Sequence, residues 1–288
     1  MNTIEATYRI VTPMFIGGAE GKPNDGIRPP SFKGALRFWW RALNWTKVYN
    51  IADLHKKEAE LFGSAAKMND GKQTGGQGVF LLSIKELGVS KPMNDWPKAN
   101  TGAGYLAYGI LESKGGERGV PIPHKIGLKE NLKFTVTIKF HRRATEDQIQ
   151  SVREALDLMG LLGGLGSRSR RGLGSISMEE GGQLMSLDCY QDKLYYLFDT
   201  ETQKDMATFT AFNKECSYNI LRPTNDPRKS LGNAGQKYKD FRSSINKNWS
   251  ERVSFGLPLQ KVDEKNRRSS PLFFHVQALA DNQFITVV

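Results

Sequence analysis

The stretch from residue 132 to residue 180 restricts the fold more than any other part of the chain. A strand is predicted over 132–143 because every second residue is apolar, namely Phe134, Val136, Ile138 and Phe140. Thr145 is a good N-cap, and the helical pattern that begins at Glu146 runs into glycines, which commonly end helices. A glycine-rich segment then leads into a short strand over 173–180. A strand, a helix and a strand in this order are half of a split βαβ unit.

The N-terminal residues supply the other half of the unit. Residues 3–11 alternate as a strand, and an amphipathic helix is predicted from Ser31, directly after Pro30. A second helix is predicted over 51–63 and a strand over 78–87, with a flexible loop at 69–78 between them. The elements therefore follow the order of a ferredoxin-like (RRM-like) unit, a four-stranded antiparallel sheet with two helices packed on one face. This unit is predicted to occupy residues 1–180, with an insertion at 88–131 that includes a strand over 104–112.

The remaining residues, 181–288, are predicted to form a second, degenerate ferredoxin-like unit. Local patterns predict strands over 193–200, 253–259, 270–279 and 283–288, and helices over 206–216 and 235–249. The predicted fold class is therefore α+β, with two units of antiparallel sheet and helices on one face of each.

The charge of the chain favours a polyanionic partner. The net charge is +11, and residues 1–180 carry most of it, with 26 basic against 18 acidic residues. No apolar run is long enough to predict a transmembrane helix, and the first residues do not follow a signal-peptide pattern, so we expect a cytoplasmic protein. Cys189 and Cys216 lie far apart without zinc-site spacing. We expect no metal, no small-molecule cofactor and no membrane partner.

The segment from 160 to 176 concentrates that charge, with six glycines, three arginines and no acid. It is not a nucleotide-binding loop, because such loops precede a helix and this one follows a helix. The prediction is a flexible, exposed cradle in which backbone amides and the guanidinium groups of Arg168, Arg170 and Arg171 bind successive phosphates. A mobile surface loop with solvated arginines is the alternative.

Other basic residues recur at three places. Lys33, Arg37 and Arg41 form one flank of the first helix, with Arg28 just ahead and no acid at the i+4 positions. Arg142 and Arg143 end the strand 132–143 together with His141, which is a weak candidate for the general base of a metal-independent ribonuclease. Arg267 and Arg268 precede a late strand. For each group, the alternative is that the basic side chains are simply exposed to solvent and bind nothing.

Three sequence stretches carry a family resemblance. "GGLGSRSRRGLGS" at 163–175 resembles the glycine-rich loop of the RAMP superfamily of CRISPR-associated RNA-binding proteins. "IRPPSFKGALRFWWRAL" at 27–43 narrows the resemblance to the first-numbered subunits of type III-B Cmr effector complexes. "FGLPL" and "RRSSPLFFHV", between 255 and 276, are similar to the same family.

The resemblance implies a non-catalytic subunit that binds guide RNA or target RNA near the 3′ end of the guide, beside other RAMP subunits. Together, the resemblance and the basic groups described above give these expected RNA-binding residues: Arg28, Lys33, Arg37, Arg41, Arg142, Arg143, Gly163, Gly164, Gly166, Arg168, Arg170, Arg171, Gly172, Gly174, Arg267 and Arg268. Cleaving RAMP proteins place an aspartate in the loop before the first helix, which makes Asp25 a second weak catalytic candidate. Two alternatives stay open, a CRISPR RNA-processing endoribonuclease and a protein-docking subunit without RNA affinity of its own.

Overall fold

The structure, a computed structural model, describes residues 2–18, 23–69, 72–111, 125–200, 204–245, 249–259 and 263–288. The strands of the described chain are β1 Thr3–Ile10, β2 Gly63–Asn69, β3 Lys72–Gln77, β4 Phe80–Glu86, β5 Pro92–Met93, β6 Gly127–Leu128, β7 Lys133–Phe140, β8 Ile176–Glu179, β9 Leu257–Leu259, β10 Asp263–Arg268, β11 His275–Ala278 and β12 Phe284–Val287. The α-helices are α1 Pro29–Asn44, α2 Ile51–Phe62, α3 Gly102–Leu106, α4 Glu146–Leu162, α5 Leu187–Thr200, α6 Pro227–Ser244 and α7 Trp249–Val253.

The first unit is the predicted ferredoxin-like sheet. Its four strands lie in the order β4-β7-β1-β8, and every neighbouring pair is antiparallel. Helices α1 and α4 pack on one face, where Tyr8 of β1 is fully buried and donates its hydroxyl to the carbonyl of Leu156 at 2.9 Å. The ring of Tyr8 also packs on Phe32 of α1 and Phe134 of β7. The alternation of apolar residues in β1 and β7 therefore predicted both the strands and the face of the sheet that is buried.

The two helices of this unit differ slightly from their predicted ends. Helix α1 begins at Pro29 rather than Ser31, since proline is tolerated in the first turn, where no intrahelical N–H bond is needed. Helix α4 begins as predicted: Thr145 accepts from the Gln148 amide, and the Gln148 side chain bonds back to the Thr145 amide. It ends at Leu162, so Gly163 follows directly.

Two predictions inside the first half are wrong. The predicted loop at 69–78 contains β3, because its glycines allow the backbone to lie against β2: a Cβ at Gly75 would stand 2.4 Å from the Ala65 carbonyl oxygen. The predicted strand at 104–112 is instead the short helix α3 followed by a turn. Thr101 caps α3 by accepting from the Gly104 amide at 3.0 Å. Residues 112–124 of the insertion lie outside the described residues.

The second half is α+β as predicted, but its elements differ in detail. Residues 193–200 are helical, because the helix α5 begins earlier and buries Tyr190, Leu194 and Leu197 at helical spacing. The predicted helix at 206–216 is absent; Phe212 instead docks on α1, where its amide donates to the Ala42 carbonyl at 3.1 Å. Helix α6 is confirmed but begins earlier, at Pro227, capped by Asp226.

The described strands of the second half form the antiparallel pairs β9–β10 and β11–β12, and bridges at Ile220 and Thr224 add an extended segment beside β12. A complete second ferredoxin-like unit with a boundary near residue 180 stays a prediction. The hydrophobic clusters join both halves: Leu36 and Phe212 share one, and Phe15 and Leu231 share another. The halves therefore pack against each other through apolar clusters that contain residues of both.

Candidate nucleic-acid interface

The glycine-rich segment, residues 163–174, joins α4 to β8 and is folded back against the chain. Eight of its twelve backbone amides donate to carbonyls of the protein, at positions 163, 165, 167, 169, 171, 172, 173 and 174. Two of these carbonyls, those of Pro13 and Phe15, belong to the stretch that follows β1. The prediction of a flexible loop with free amides is therefore wrong, because most of these donors are already used within the fold.

The glycines of the segment serve close packing. Gly174 has φ +67°, and a Cβ at this position would lie 2.1 Å from the Leu165 carbonyl oxygen. Gly166 has φ +88°, and its Cβ would lie 2.6 Å from the Phe15 carbonyl oxygen. Gly163, Gly164 and Gly172 lie in the same segment, with similarly close backbone or side-chain neighbours. Their contact with RNA stays a prediction, but their structural role is clear from these approaches.

The three arginines of the segment are held by carbonyls and aromatic rings. Arg168 donates its Nε to the Tyr108 carbonyl at 2.7 Å, and Arg170 donates an Nη to the Ser270 carbonyl at 2.9 Å. The Arg170 guanidinium also lies 4.1 Å from the centroid of the Phe273 ring. The Arg171 guanidinium lies over Tyr238 and Phe274, at 5.2 and 5.8 Å from their ring centroids. Carbonyls and rings orient these groups without cancelling their charge.

The arginine cluster, Arg168 with Arg170 and Arg171, gathers positive charge that no described carboxylate balances. In the described part of the chain, none of the three forms an ion pair with a carboxylate. Burial and the charge of Arg171 lower the pKa of Arg168, with Tyr108 opposing, and burial and Arg171 lower the pKa of Arg170. The Nη1 atom of Arg171 is buried without a hydrogen-bond partner. An anion placed here would relieve mutual repulsion among three positive groups.

The basic flank of α1 is neutralised in part, contrary to the prediction from i+4 spacing. Arg37 and Arg41 both form ion pairs with Glu58 of α2, whose side chain is almost completely buried. Lys33 lies over the Phe80 ring, and burial and the charge of Arg37 lower its pKa. Glu58 was detectable in the sequence as an acid on the apolar face of α2, and a buried acid of this kind requires a cation.

The structure brings two groups of predicted residues to the two sides of the β2–β3 hairpin. A cleft of about 840 Å³ is lined by His141, Arg143 and residues of the hairpin, together with Lys56 and Lys139. An adjoining cleft of about 630 Å³ is lined by Lys33, Arg37 and His55. The two clefts share Gly75–Gly78, so residues that lie about 100 positions apart in sequence form one basic, grooved surface, which we call the hairpin clefts.

The other predicted residues lie singly. Arg28, just before α1, donates to the Gly17 carbonyl at 3.0 Å. Arg142 is exposed beside His141, whereas Arg143, already placed in the hairpin clefts, donates to the Gln77 carbonyl at 2.8 Å. Arg268 donates to the Val253 carbonyl, whereas the side chain of Arg267 lies outside the described residues.

The two catalytic candidates are not brought into one described cleft. His141 is exposed, and its Nδ1 accepts the Arg143 amide at 3.2 Å. Asp25 ends a 3₁₀ turn at Pro23–Asp25, and its carboxylate lies against Gly18. Asp25 lines neither of the hairpin clefts. The described structure therefore does not bring the two candidates together, whereas Lys139 and Lys56 line the same cleft as His141.

Sequence reasoning did not assign His275, which fixes the glycine-rich segment to β11. It is fully buried, with Nδ1 3.0 Å from the Gly163 carbonyl oxygen and Nε2 3.0 Å from the Gln277 Oε1. Burial lowers its pKa to about 4, against the opposing effect of the bonds to Gln277 and Gly163. Next to it, the hydroxyls of Ser175 and Ser177 accept the Val276 and Ala278 amides.

His275 gives a testable pH dependence of stability. Its folded pKa lies below the ordinary 6.5, so its contribution is complete above that value and is lost as the pH falls toward 4. We expect the wild type to lose about 2–3 kcal/mol between about pH 7.5 and about pH 4.5 through this residue. Urea unfolding of wild type and His275→Gln at both pH values measures the difference, with the exposed His55→Gln as control. An unchanged pH dependence in His275→Gln would contradict the assignment.

Metal and membrane features are absent from the part of the chain that the structure describes. No group of three or more histidine, cysteine or acidic side chains there is arranged to hold a metal ion. None of the helices in the described ranges combines the length and the apolar character needed to cross a membrane.

The fold and the basic glycine-rich segment define a class of protein. The family model of the RAMP superfamily matches residues 7–177, from β1 to β8. The match covers more than half of the chain, and the chain belongs to the RAMP superfamily.

Within that class, the chain is similar to Cmr1 proteins of Pyrococcus furiosus. It is 26% identical to the CRISPR system Cmr subunit Cmr1-1 over 287 residues, which covers 91% of this chain and 79% of the relative. It is also 26% identical to Cmr1-2 over 183 residues, covering 59% of this chain and 91% of that relative.

Solved structures agree in fold. The apo crystal structure of Cmr1 from Pyrococcus furiosus matches with a TM-score of 0.66 at 22% identity, covering all of this chain and 87% of that one. A chain of the type III-B Cmr-beta complex bound to cognate target RNA matches with a TM-score of 0.60 at 12% identity, covering 98% of this chain and 93% of that one. At these identities the structural matches show a shared fold.

Proposed function

We propose that this protein is a non-catalytic subunit of a type III-B Cmr effector complex that binds the sugar–phosphate backbone of guide or target RNA, beside other RAMP subunits. The observation that carries the proposal is the arginine cluster, three guanidinium groups gathered without a carboxylate among the described residues. The similarity to Cmr1 subunits, and the RNA-bound complex that contains a structurally similar chain, support the same function.

The physical mechanism differs from the one expected from sequence. Since most amides of the glycine-rich segment are used internally, side chains must supply the contacts with phosphate. A guanidinium group can bind one phosphate through two parallel hydrogen bonds, and the packed loop fixes the spacing of three such groups. The hairpin clefts add Lys33, Lys56 and Arg143 as a second set of phosphate ligands. Base pairing between the RNAs supplies sequence specificity.

Binding through phosphates predicts a steep, sequence-independent salt effect. If about six phosphates are contacted, the affinity for single-stranded RNA should fall by roughly two to three orders of magnitude between 50 and 200 mM salt. Filter binding of the purified chain to several unrelated RNA sequences measures the slopes, which should agree. Strong preference for one sequence, or a flat salt response, would argue against a backbone interaction.

The same samples separate the two alternatives. A ribonuclease would shorten a CRISPR repeat RNA in the absence of metal and lose this activity in His141→Ala. A docking subunit would bind other RAMP subunits but no RNA. We expect intact RNA after incubation and measurable RNA binding by the isolated chain.

A further inference from the structure

The insertion after β4 contributes directly to the surface of the arginine cluster. Its described part contains α3 and the turn that follows, and this turn presents Tyr108 with 77% of its surface exposed. The carbonyl of the same residue accepts the Nε of Arg168. An exposed aromatic ring and an arginine that pairs with no described carboxylate therefore lie next to each other on the surface.

The position of this turn is fixed by close packing of α3 on α6. A Cβ at Gly102 would lie 2.1 Å from the Gly232 carbonyl oxygen, and a Cβ at Gly235 would lie 2.1 Å from the Gly102 carbonyl oxygen. The rings of Tyr105 and Tyr238 also meet, with centroids 5.7 Å apart, and Arg171 covers the Tyr238 ring. Helix α3, helix α6 and the glycine-rich segment are therefore packed against one another.

Arg168 is held against the turn by backbone geometry. It adopts φ +63°, which is uncommon for a residue with a side chain, and its guanidinium lies so close to Gly109 that a Cβ there would be 2.7 Å from its Nη2. Lys125, on the far side of the insertion, reaches Ser167 at 3.4 Å. Arg168 therefore places positive charge beside the turn that carries the exposed Tyr108 ring. Among the described residues, this ring makes no contact with another aromatic ring.

We propose that Tyr108 stacks on one unpaired RNA base while Arg168 and its neighbours bind the adjoining phosphates, so that this site takes single-stranded rather than paired RNA. The inference rests on the proposed function and adds the class of RNA. A base within a duplex is stacked on both faces and offers none to a side chain, whereas an unpaired base can turn outward onto an aromatic ring. The pairing of ring and cation matches the alternation of base and phosphate along a single strand.

The test compares Tyr108→Ala, Tyr108→Phe and the control Tyr49→Ala, which removes another highly exposed tyrosine, 94% accessible. The probes are a short RNA containing 2-aminopurine and the same strand annealed to its complement. We expect Tyr108→Ala to weaken single-strand binding about tenfold and to abolish quenching of the 2-aminopurine, without changing duplex binding. Tyr108→Phe, which keeps the ring, and Tyr49→Ala should resemble the wild type.

Failure of this inference is distinguishable from failure of the proposed function. Unchanged single-strand affinity and quenching in Tyr108→Ala would overturn the stacking role, and so would equal losses on single-stranded and paired RNA. If the wild type binds neither the single-stranded nor the paired RNA, the proposed function fails and the stacking role fails with it. The same follows if alanine substitution of the arginine cluster leaves the affinities for both RNAs unchanged.

Discussion

Replacing Arg168, Arg170 and Arg171 together by alanine is expected to lower the affinity for single-stranded RNA about a hundredfold or more. Each arginine would lose a charge-assisted interaction with phosphate of at least about 1 kcal/mol. The slope of log affinity against log salt should also become shallower by about 2, since about three fewer counterions are released. Filter binding across a salt series measures both quantities, and the loss should be equal for unrelated sequences.

The matched control for this experiment removes the same charge elsewhere. Lys85, Arg153 and Arg222 are exposed and lie outside the arginine cluster and the hairpin clefts. Their triple alanine variant should lose only a small factor in affinity for single-stranded RNA. Equal losses in both triple variants would show that net charge alone attracts RNA. Because Arg170 and Arg171 pack on aromatic rings, thermal unfolding of each variant must accompany the binding measurement.

The substitution Gly174→Ala is expected to destabilise the protein by about 3–5 kcal/mol or to prevent folding. The backbone at this residue has positive φ, which costs a residue with a side chain about 1–2 kcal/mol. The added methyl would also overlap the carbonyl oxygen of Leu165, a residue whose amide is hydrogen-bonded to the Gly174 carbonyl, so relief requires moving the segment. Chemical unfolding and the yield of folded protein measure the effect.

Substitutions at two other glycines separate the cost of the positive φ angle from the cost of steric overlap. Gly181 has φ +58° with no atom within 4 Å of an added Cβ, so Gly181→Ala should show only the backbone cost of about 1 kcal/mol. Gly34 lies within α1 with open space around it, so Gly34→Ala should stabilise the protein by up to about 1 kcal/mol. If Gly174→Ala resembled Gly181→Ala, the segment would be the pliable loop that its composition suggests.

Much of the fold was predictable because short-range periodicity produced it. The alternation in β1 and β7 and the capping pattern around Thr145 identified the first unit and its order of elements. The errors fell where tertiary contacts overrule local preference. Glycines in β3 extend because β2 pairs with them, and α3 is helical where it packs against α6. Helix α5 was missed because its apolar spacing begins before the aromatic stretch at 193–200.

The candidate site was predictable in its residue types but not in its chemistry. The sequence indicated the basic residues, yet spacing along α1 could not reveal that Glu58, on another helix, neutralises Arg37 and Arg41. In the same way, composition suggested that the loop amides were free, whereas most of them donate to backbone carbonyls, two of these in the stretch after β1.

The sequence by itself determined the ferredoxin-like first unit, the surplus of positive charge and the segment in which arginines concentrate. Tertiary structure alone decided which of those charges are paired, which are gathered with no carboxylate among the described residues, and that the glycines serve packing. The reason is physical. Periodicity acts over a few residues, whereas hydrogen bonds and ion pairs depend on distances in space, here between residues such as Arg170 and Ser270, which lie 100 positions apart.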